Sequence, residues 1–379
     1  MRIGVVQPRI SYHDGGGEYY PMDAISFVAK NHPDVIFDVY TLCPPAMPTE
    51  RYSRFKEQVT RNVNIFEFEI PDEFRYLYEI VPGTVRYRWD IESYYFANLL
   101  LKKLNADTRP DLIWTYYLMD FPFNIGIPTV LNLLGYPREK TQHREALLSQ
   151  YSQIVSISEN TVNKWNDVLD IPIKKYKVMH QGVTFSDAES NIPEGFEQGR
   201  TNVLFVGRLI ERKGILLLCE VVKKISKTKL GNKIRLHICG EGELQNNIKQ
   251  FVINDNLEDY IFIHGQVLNV DDYYKNADFC VFPSHRGEGL MSTVIEAMYS
   301  NGTVVTTSEN GNEELIVDGK SGFLIPPNDF DSLYSVINEL VLDTGKRDSV
   351  KECAKASAKT CTWEQYAEHF LTICSSLNG

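Results

Sequence analysis

Short β-branched and aliphatic runs recur along this chain, each followed by a segment of helical period, and that alternation admits few folds. Residues 3–6 read as a buried strand, Gly15-Gly16-Gly17 as a turn, and residues 18–31 as a helix with an acidic first turn. Residues 36–40, 112–115, 129–133 and 154–157 read as further strands, and Ser158-Glu159-Asn160-Thr161 as a helix start. Runs apolar throughout, with helices between them, predict parallel strands covered on both faces. Residues 186–200 interrupt the rhythm, being polar and poor in β-branched residues, and read as a linker. The alternation then restarts, with strands at 203–206, 234–239, 261–264, 279–282 and 303–306 and helices at 215–228, 244–255 and 293–300. The expectation is an α/β chain of two facing, doubly wound, Rossmann-like domains, residues 1–185 and 201–379, with a cleft between them. Helical residues 363–377 are expected outside the second sheet, with a return toward the first domain as the alternative.

A length of 379 residues suits two domains, and 43% hydrophobic with 23% charged residues suits a globular chain with ordinary cores. The net charge of −11 argues against a nucleic-acid partner, which needs a basic surface. Seven cysteines without a CxxC, or any zinc-type Cys/His spacing, read as free thiols in a reducing compartment. The N-terminal run is too short for a signal-peptide core, and no stretch approaches the roughly 20 apolar residues of a membrane span. A cytoplasmic location follows as an expectation, with any membrane contact peripheral. Residues 52–89 interleave aromatics with Arg and Lys; they are either packed element faces or a surface for an amphiphilic acceptor or an anionic membrane.

The strongest constellation lies after the strand at 279–282. Pro283-Ser284-His285-Arg286-Gly287-Glu288-Gly289-Leu290-Met291 forms a glycine-bearing turn, and Ser292-Thr293-Val294-Ile295-Glu296 opens a helix. Free N–H groups and the helix dipole favour an anion at such a helix start. Glu288 precedes the helix and Glu296 lies eight residues further on, so one carboxylate stands near each end of a ligand. Carboxylates accept hydrogen bonds from vicinal hydroxyls, the chemistry of ribose and sugar recognition. Gly207-Arg208 closes the strand at 203–206, and Lys213-Gly214 opens the next helix. Two cations five residues apart are either a diphosphate clamp or solvated loop charges. Gly15-Gly16-Gly17 is either a tight turn or a close backbone approach to a phosphate; it is not the dinucleotide fingerprint. Asp329-Phe330-Asp331 before a helix reads as a cap rather than a metal site.

Taken together, Gly207-Arg208-x4-Lys213-Gly214, the Glu288-x7-Glu296 pair, Asn310-Gly311-Asn312-Glu313-Glu314 and Gly322-Phe323-Leu324-Ile325-Pro326 resemble the retaining glycosyltransferases of family 4. The resemblance covers residues 203 to about 340 and touches the first domain chiefly at Gly16-Gly17-Glu18. It implies the GT-B architecture and metal-independent transfer of a sugar from a nucleotide-diphosphate sugar, with a UDP or GDP donor and no cofactor. It implies that Arg208 and Lys213 bind the diphosphate, Glu296 the ribose, and Glu288 with Gly289, Leu290, Met291, Ser292 and Thr293 the sugar and its phosphate. Val267 would lie against the base, Gly207 beside the phosphates, and Gly16 and Gly17 would approach from the opposite domain. The implied acceptor is a glycan, lipid-linked or membrane-proximal.

Two departures stand out against that family. Leu134 occupies the place of a histidine near the sugar, leaving Asn132 as the nearby polar side chain and Asp120 and Tyr117 as substitutes. Met291 replaces a glycine. His180, after a strand at 176–179, and His285, three residues before Glu288, are either cleft residues or ordinary loop histidines. A nucleotide-sugar epimerase on the same fold and a non-catalytic binding subunit stay open as rival readings.

Overall fold

The computed structural model describes residues 1–13, 16–43, 48–70, 85–106, 109–116, 126–137, 148–169, 172–267, 269–285 and 288–378, with side chains left out at 85–92 and 106. Two compact units emerge. Unit 1 comprises Met1–Ile157, Thr161–His180 and Trp363–Gly379; unit 2 comprises Ser158–Asn160 and Gln181–Thr362.

In chain order the first elements are β1 (Arg2–Val6), α1 (Gly16–Asn31), β2 (Ile36–Cys43), α2 (Glu50–Gln58), β3 (Val63–Glu69), α3 (Val85–Ala106), β4 (Leu112–Thr115), β5 (Thr129–Leu133), β6 (Gln153–Ser156), α4 (Glu159–Asn166) and β7 (Tyr176–Val178). Among the described residues they give unit 1 a parallel sheet in the order β3-β2-β1-β4-β5-β6-β7. Strands β4 and β5 are buried at every position, as expected of strands covered on both faces. Strand β3 is an edge strand that alternates polar and apolar residues, so it carries no apolar run to read.

The remaining elements are β8 (Thr201–Val206), α5 (Ile215–Ser226), β9 (Ile234–Cys239), α6 (Gln245–Asn254), β10 (Ile261–Gly265), α7 (Val270–Asn276), β11 (Phe279–Phe282), α8 (Ser292–Ser300), β12 (Val304–Thr307), β13 (Phe323–Ile325), α9 (Phe330–Leu342), α10 (Thr344–Ala358) and α11 (Trp363–Leu377). Unit 2 has the parallel order β10-β9-β8-β11-β12-β13. In both units the order reverses at one point, between β1 and β4 and between β8 and β11. Ligands of open α/β sheets bind outside the carboxyl ends of the strands at such a reversal.

Two boundaries differ from the sequence expectation. Helix α11 belongs to unit 1 and not to the outside of the second sheet. Its stripe of Trp363, Tyr366, Phe370 and Cys374 is buried, with Phe370 4.5 Å from Trp114 and Trp363 stacked 5.7 Å from Tyr20, centroid to centroid. The Tyr116 and Tyr366 hydroxyls meet at 3.1 Å. Helical period reveals an amphipathic face but not which sheet that face covers. Residues 186–200, read as a linker, run along unit 2 and are fastened to it. Phe185 stacks on Tyr299 at 4.0 Å, Asn191 N donates to Asp272 at 3.0 Å, and Phe196 stacks on His237 at 3.9 Å.

The described aromatics of the stretch pack inward, whereas Arg51, Arg54, Lys56 and Arg61 are exposed. Tyr52 and Phe55 are buried, Phe66 stacks on Tyr40, and Phe68 meets Phe96 edge-on. Arg51 pairs with Asp23, Arg54 with Glu50 and Lys56 with Glu67. Residues 71–84, with Phe74, Arg75, Tyr76 and Tyr78, lie outside the described residues, as do the side chains of Arg86 to Trp89. No helix of the described residues is long and apolar enough to cross a membrane.

His237 sits fully buried in β9, with ring nitrogens 3.1 Å from His264 Nε2 and 3.2 Å from Asn202 Oδ1. Burial, then the neighbouring His264 and Arg235, push its pKa down to about 3, and burial lowers His264 as well. A histidine held neutral in the fold but titrating near 6.5 when unfolded contributes full stability above pH 6.5, and loses it as pH falls toward 3. Urea unfolding should therefore show a stability plateau above about pH 6.5 and a decline below it, up to about 1.4 kcal/mol per pH unit for His237 alone. His237→Gln should flatten that decline, and an unchanged acid limb would show that His237 does not control it.

Candidate nucleotide-sugar site

The loops that leave β8 and β11 in unit 2 hold the charged residues singled out above. After β8 the chain passes Gly207 and the exposed Arg208, forms a 3₁₀ turn at Glu211–Lys213, and enters α5 through Gly214. Gly214 has φ +69°, and a Cβ there would stand 2.0 Å from the Pro283 carbonyl oxygen. Only glycine allows both that conformation and that approach. The contact holds Lys213 against the start of the loop after β11, and the Arg212 carbonyl accepts from His285 N at 2.9 Å.

The second loop is braced from below. Asn312, fully buried, accepts the Met291 N–H at 3.0 Å through Oδ1, and Gln181 Nε2 donates to the Leu290 carbonyl at 3.0 Å. A Cβ on Gly311 would lie 2.7 Å from Leu290 N, so the 3₁₀ turn at Gly311–Glu314 fits directly against this loop. Helix α8 starts at Ser292 with Met291 as its N-cap residue and no side-chain cap. The N–H groups of Ser292 and Thr293 have no acceptor among the described residues, while those of Val294 and Ile295 turn back to Met291 O. A helix start left open in this way attracts an anion.

Three charges meet beside it. Arg212 Nη1 donates to Glu288 Oε1, and Lys213 Nζ lies 3.1 Å from the same oxygen. Lys213 Nζ also reaches the Met291 thioether at 3.7 Å, and Ser284 Oγ reaches it at 3.8 Å. The side chains of Lys213 and Glu288 are 15% and 11% exposed, and that of Arg212 31%. Burial lowers the Lys213 pKa; Glu288 opposes the shift, and Arg212 and Arg208 add to it. Glu296 is half-buried on α8 and accepts from the fully buried Tyr274 hydroxyl at 3.1 Å. Val267 is half-buried just past β10.

Other candidates stand elsewhere. Gly16 and Gly17 open α1 in unit 1, where the buried Gln7 donates to the Gly17 carbonyl at 3.0 Å. A Cβ on either glycine would meet nothing within 4 Å, so crowding by neighbours does not explain glycine there. Asn132 lies in β5 with its amide buried and neither polar atom hydrogen-bonded among the described residues. His180 is half-buried after β7, the last residue of its stretch of unit 1, and His285 is half-buried beside the Arg212 carbonyl. Asp120 and Tyr117, like Gly15, Arg286 and Gly287, lie outside the described residues. Asp329 caps α9 by accepting from Ser332 N at 3.0 Å. Arg212, Tyr274 and Gln181 were not legible as site residues, because each acts through a partner distant in sequence.

With this geometry in hand, comparison with known proteins becomes informative. Residues 187–357 match the family Glycosyl transferases group 1. The matched stretch contains Arg208, Lys213, Glu288 and Glu296 and leaves unit 1 outside. An uncharacterized glycosyltransferase of Methanocaldococcus jannaschii is 28% identical over 273 residues, 67% of this chain and 72% of the relative. A capsular polysaccharide biosynthesis glycosyltransferase of Staphylococcus aureus, CapM, is 27% identical over 188 residues, 46% of this chain and 47% of its own. The match thus spans about half of that second relative. Among solved structures, a glycosyltransferase of Rickettsia africae has a TM-score of 0.74 at 16% identity, covering 99% of this chain and 98% of that one. Anabaena HepE in complex with UDP and glucose has a TM-score of 0.74 at 16% identity, covering 99% of this chain and all (100%) of that one. The fold is the GT-B fold of two Rossmann-like domains.

The Tyr274 hydroxyl fixes one oxygen of Glu296. With Glu296 at a donor's ribose, as the family resemblance implies, Tyr274→Phe should weaken UDP binding by about fivefold, the effect of roughly 1 kcal/mol for one hydrogen bond to a carboxylate, with the fold unchanged by circular dichroism. Titration calorimetry giving the wild-type affinity would remove Tyr274 from the site.

Proposed function

We propose that this chain is a retaining, metal-independent glycosyltransferase that moves a sugar from a nucleotide-diphosphate sugar, with uridine as the base, to an acceptor hydroxyl. The observation that carries the reading is the convergence, at the strand-order reversal of unit 2, of Arg208, Lys213 and an uncapped helix start with two carboxylates eight residues apart. The match to Glycosyl transferases group 1 over the same residues supports it. So do fold neighbours such as Anabaena HepE, described in complex with UDP and glucose.

In this reading the N–H groups of Ser292 and Thr293, with Arg208 and Lys213, take up the charge that develops on the departing diphosphate. Donors fixed in place before reaction stabilise that charge without reorganising. Glu296, oriented by Tyr274, accepts from the ribose hydroxyls, and Val267 lies against the base. Glu288 and the backbone at Gly289 and Leu290 hold the sugar, and Met291 shapes its pocket. The acceptor is a hydroxyl of a surface polysaccharide or its lipid-linked precursor; relatives named for capsular polysaccharide and amylovoran biosynthesis support that choice.

Arg208→Ala combined with Lys213→Ala should lower transfer at least about 100-fold, the scale of losing preorganised charge stabilisation, with the melting temperature little changed. Full turnover by that variant would sink the clamp. Proton NMR of the product should show the donor's anomeric configuration kept, and inversion would overturn the retaining assignment.

A further inference from the structure

Lys213 cannot meet a phosphate on the terms a free ammonium would, because its Nζ is 3.1 Å from Glu288 Oε1. A carboxylate held by a lysine competes with any incoming anion for that lysine. A second cation changes the competition. Arg212, one residue earlier on the same 3₁₀ turn, donates to the same Oε1. Guanidinium holds a carboxylate through directed donors, whereas ammonium is a point charge that reorients readily.

We infer that Arg212 is a positioning residue that retains Glu288 as an internal counter-ion while Lys213 exchanges that carboxylate for the donor's diphosphate. Glu288 bridges both cations. When the diphosphate arrives, Lys213 swings to it, and Arg212 keeps Glu288 ionised and in place for the sugar. Arg212 therefore governs donor affinity through Glu288 and not through a contact with phosphate. The surroundings fit this division of labour. The Met291 thioether, a weak acceptor, lies 3.7 Å from Nζ and leaves the ammonium mobile. The Arg212 carbonyl accepts from His285 N at 2.9 Å, which anchors the backbone from which the guanidinium reaches Glu288.

The inference rests on the donor reading of this site, and a double-mutant cycle separates the two. Calorimetric titration with UDP, GDP and ADP is run on the wild type, Arg212→Gln, Glu288→Gln and the double variant. Arg212→Gln should weaken the bound nucleoside diphosphate on the order of tenfold, because Glu288 then falls wholly on Lys213. Glu288→Gln should tighten it, by releasing Lys213. In the Glu288→Gln background, removing Arg212 should leave the affinity within about twofold, since position 288 then carries no carboxylate for Arg212 to position. An equal penalty for Arg212→Gln in both backgrounds would mean a direct or long-range charge effect and would overturn the inference alone. A wild type that binds none of the three diphosphates would overturn the donor reading and this inference with it. A ligand-free readout uses ¹³C-methylated lysine NMR on the same chains: the Lys213 pKa should rise in Arg212→Gln and fall in Glu288→Gln. No change in either would dissolve the three-charge cluster. Should Arg212→Gln fold poorly, Arg212→Lys keeps the charge without the fork and should weaken UDP by a smaller factor.

Discussion

The Pro283 carbonyl oxygen occupies the space that any side chain on residue 214 would need. That steric exclusion joins the loop after β8 to the loop after β11, and Arg208, Arg212, Lys213 and Glu288 are hung from one or the other. Close-packed backbone of this kind does not relax to admit a methyl group. The position of Lys213 relative to Glu288 is thus fixed by main chain before any electrostatic attraction acts. Asn312 and Gln181 complete the frame by accepting from Met291 N and donating to Leu290 O, so the approach to α8 is braced on both polar sides.

On this frame a locally cationic site forms in a chain of net charge −11. Arg208, Arg212 and Lys213 lie within a six-residue stretch that also holds Glu211, and Arg212 and Lys213 both pair with Glu288. A local excess of cations attracts anions even in a chain that is acidic as a whole. Burial makes the balance sensitive. Lys213 is destabilised as a cation by desolvation, and its charge depends on the carboxylate beside it.

Much of the fold was legible because parallel strands covered on both faces leave uninterrupted apolar runs. The strands β4, β8 and β11 are of this type, and the order of the strands along the chain already implies crossovers. Edge strands β3 and β13 were not legible as strands, one for its alternating charge and the other for its brevity. Helix α11 was legible as a helix, but its aromatic stripe carries no label for the sheet it covers. Glu288, Glu296, Arg208 and Lys213 could be named because their spacing follows from the strand–turn–helix geometry around them. Arg212 reads as one more loop charge until the fold brings Glu288 to it across 76 positions. The polarity of residues 186–200 suggested a free connector; Phe185 and Phe196, each finding an aromatic or imidazole face, make it a fastened strap.

The return of α11 to unit 1 has a consequence for how the chain is made. The body of unit 2, Gln181–Thr362, is one continuous stretch whose two ends meet at the parallel bridge between Val183 and Thr362, with Val183 N donating to Cys361 O at 2.9 Å. Unit 2 therefore holds all but three of its residues in a single segment and can fold as soon as that segment leaves the ribosome. Unit 1 starts earlier in the sequence but lacks Trp363, Tyr366 and Phe370 until the chain beyond unit 2 has been made, leaving Trp114, Tyr20 and Tyr116 without their cover. The usual vectorial order, in which the N-terminal domain matures before the next begins, is reversed. Unit 2 has its continuous segment in hand before unit 1 has its full cover, and a helix made after unit 2 finishes the first core.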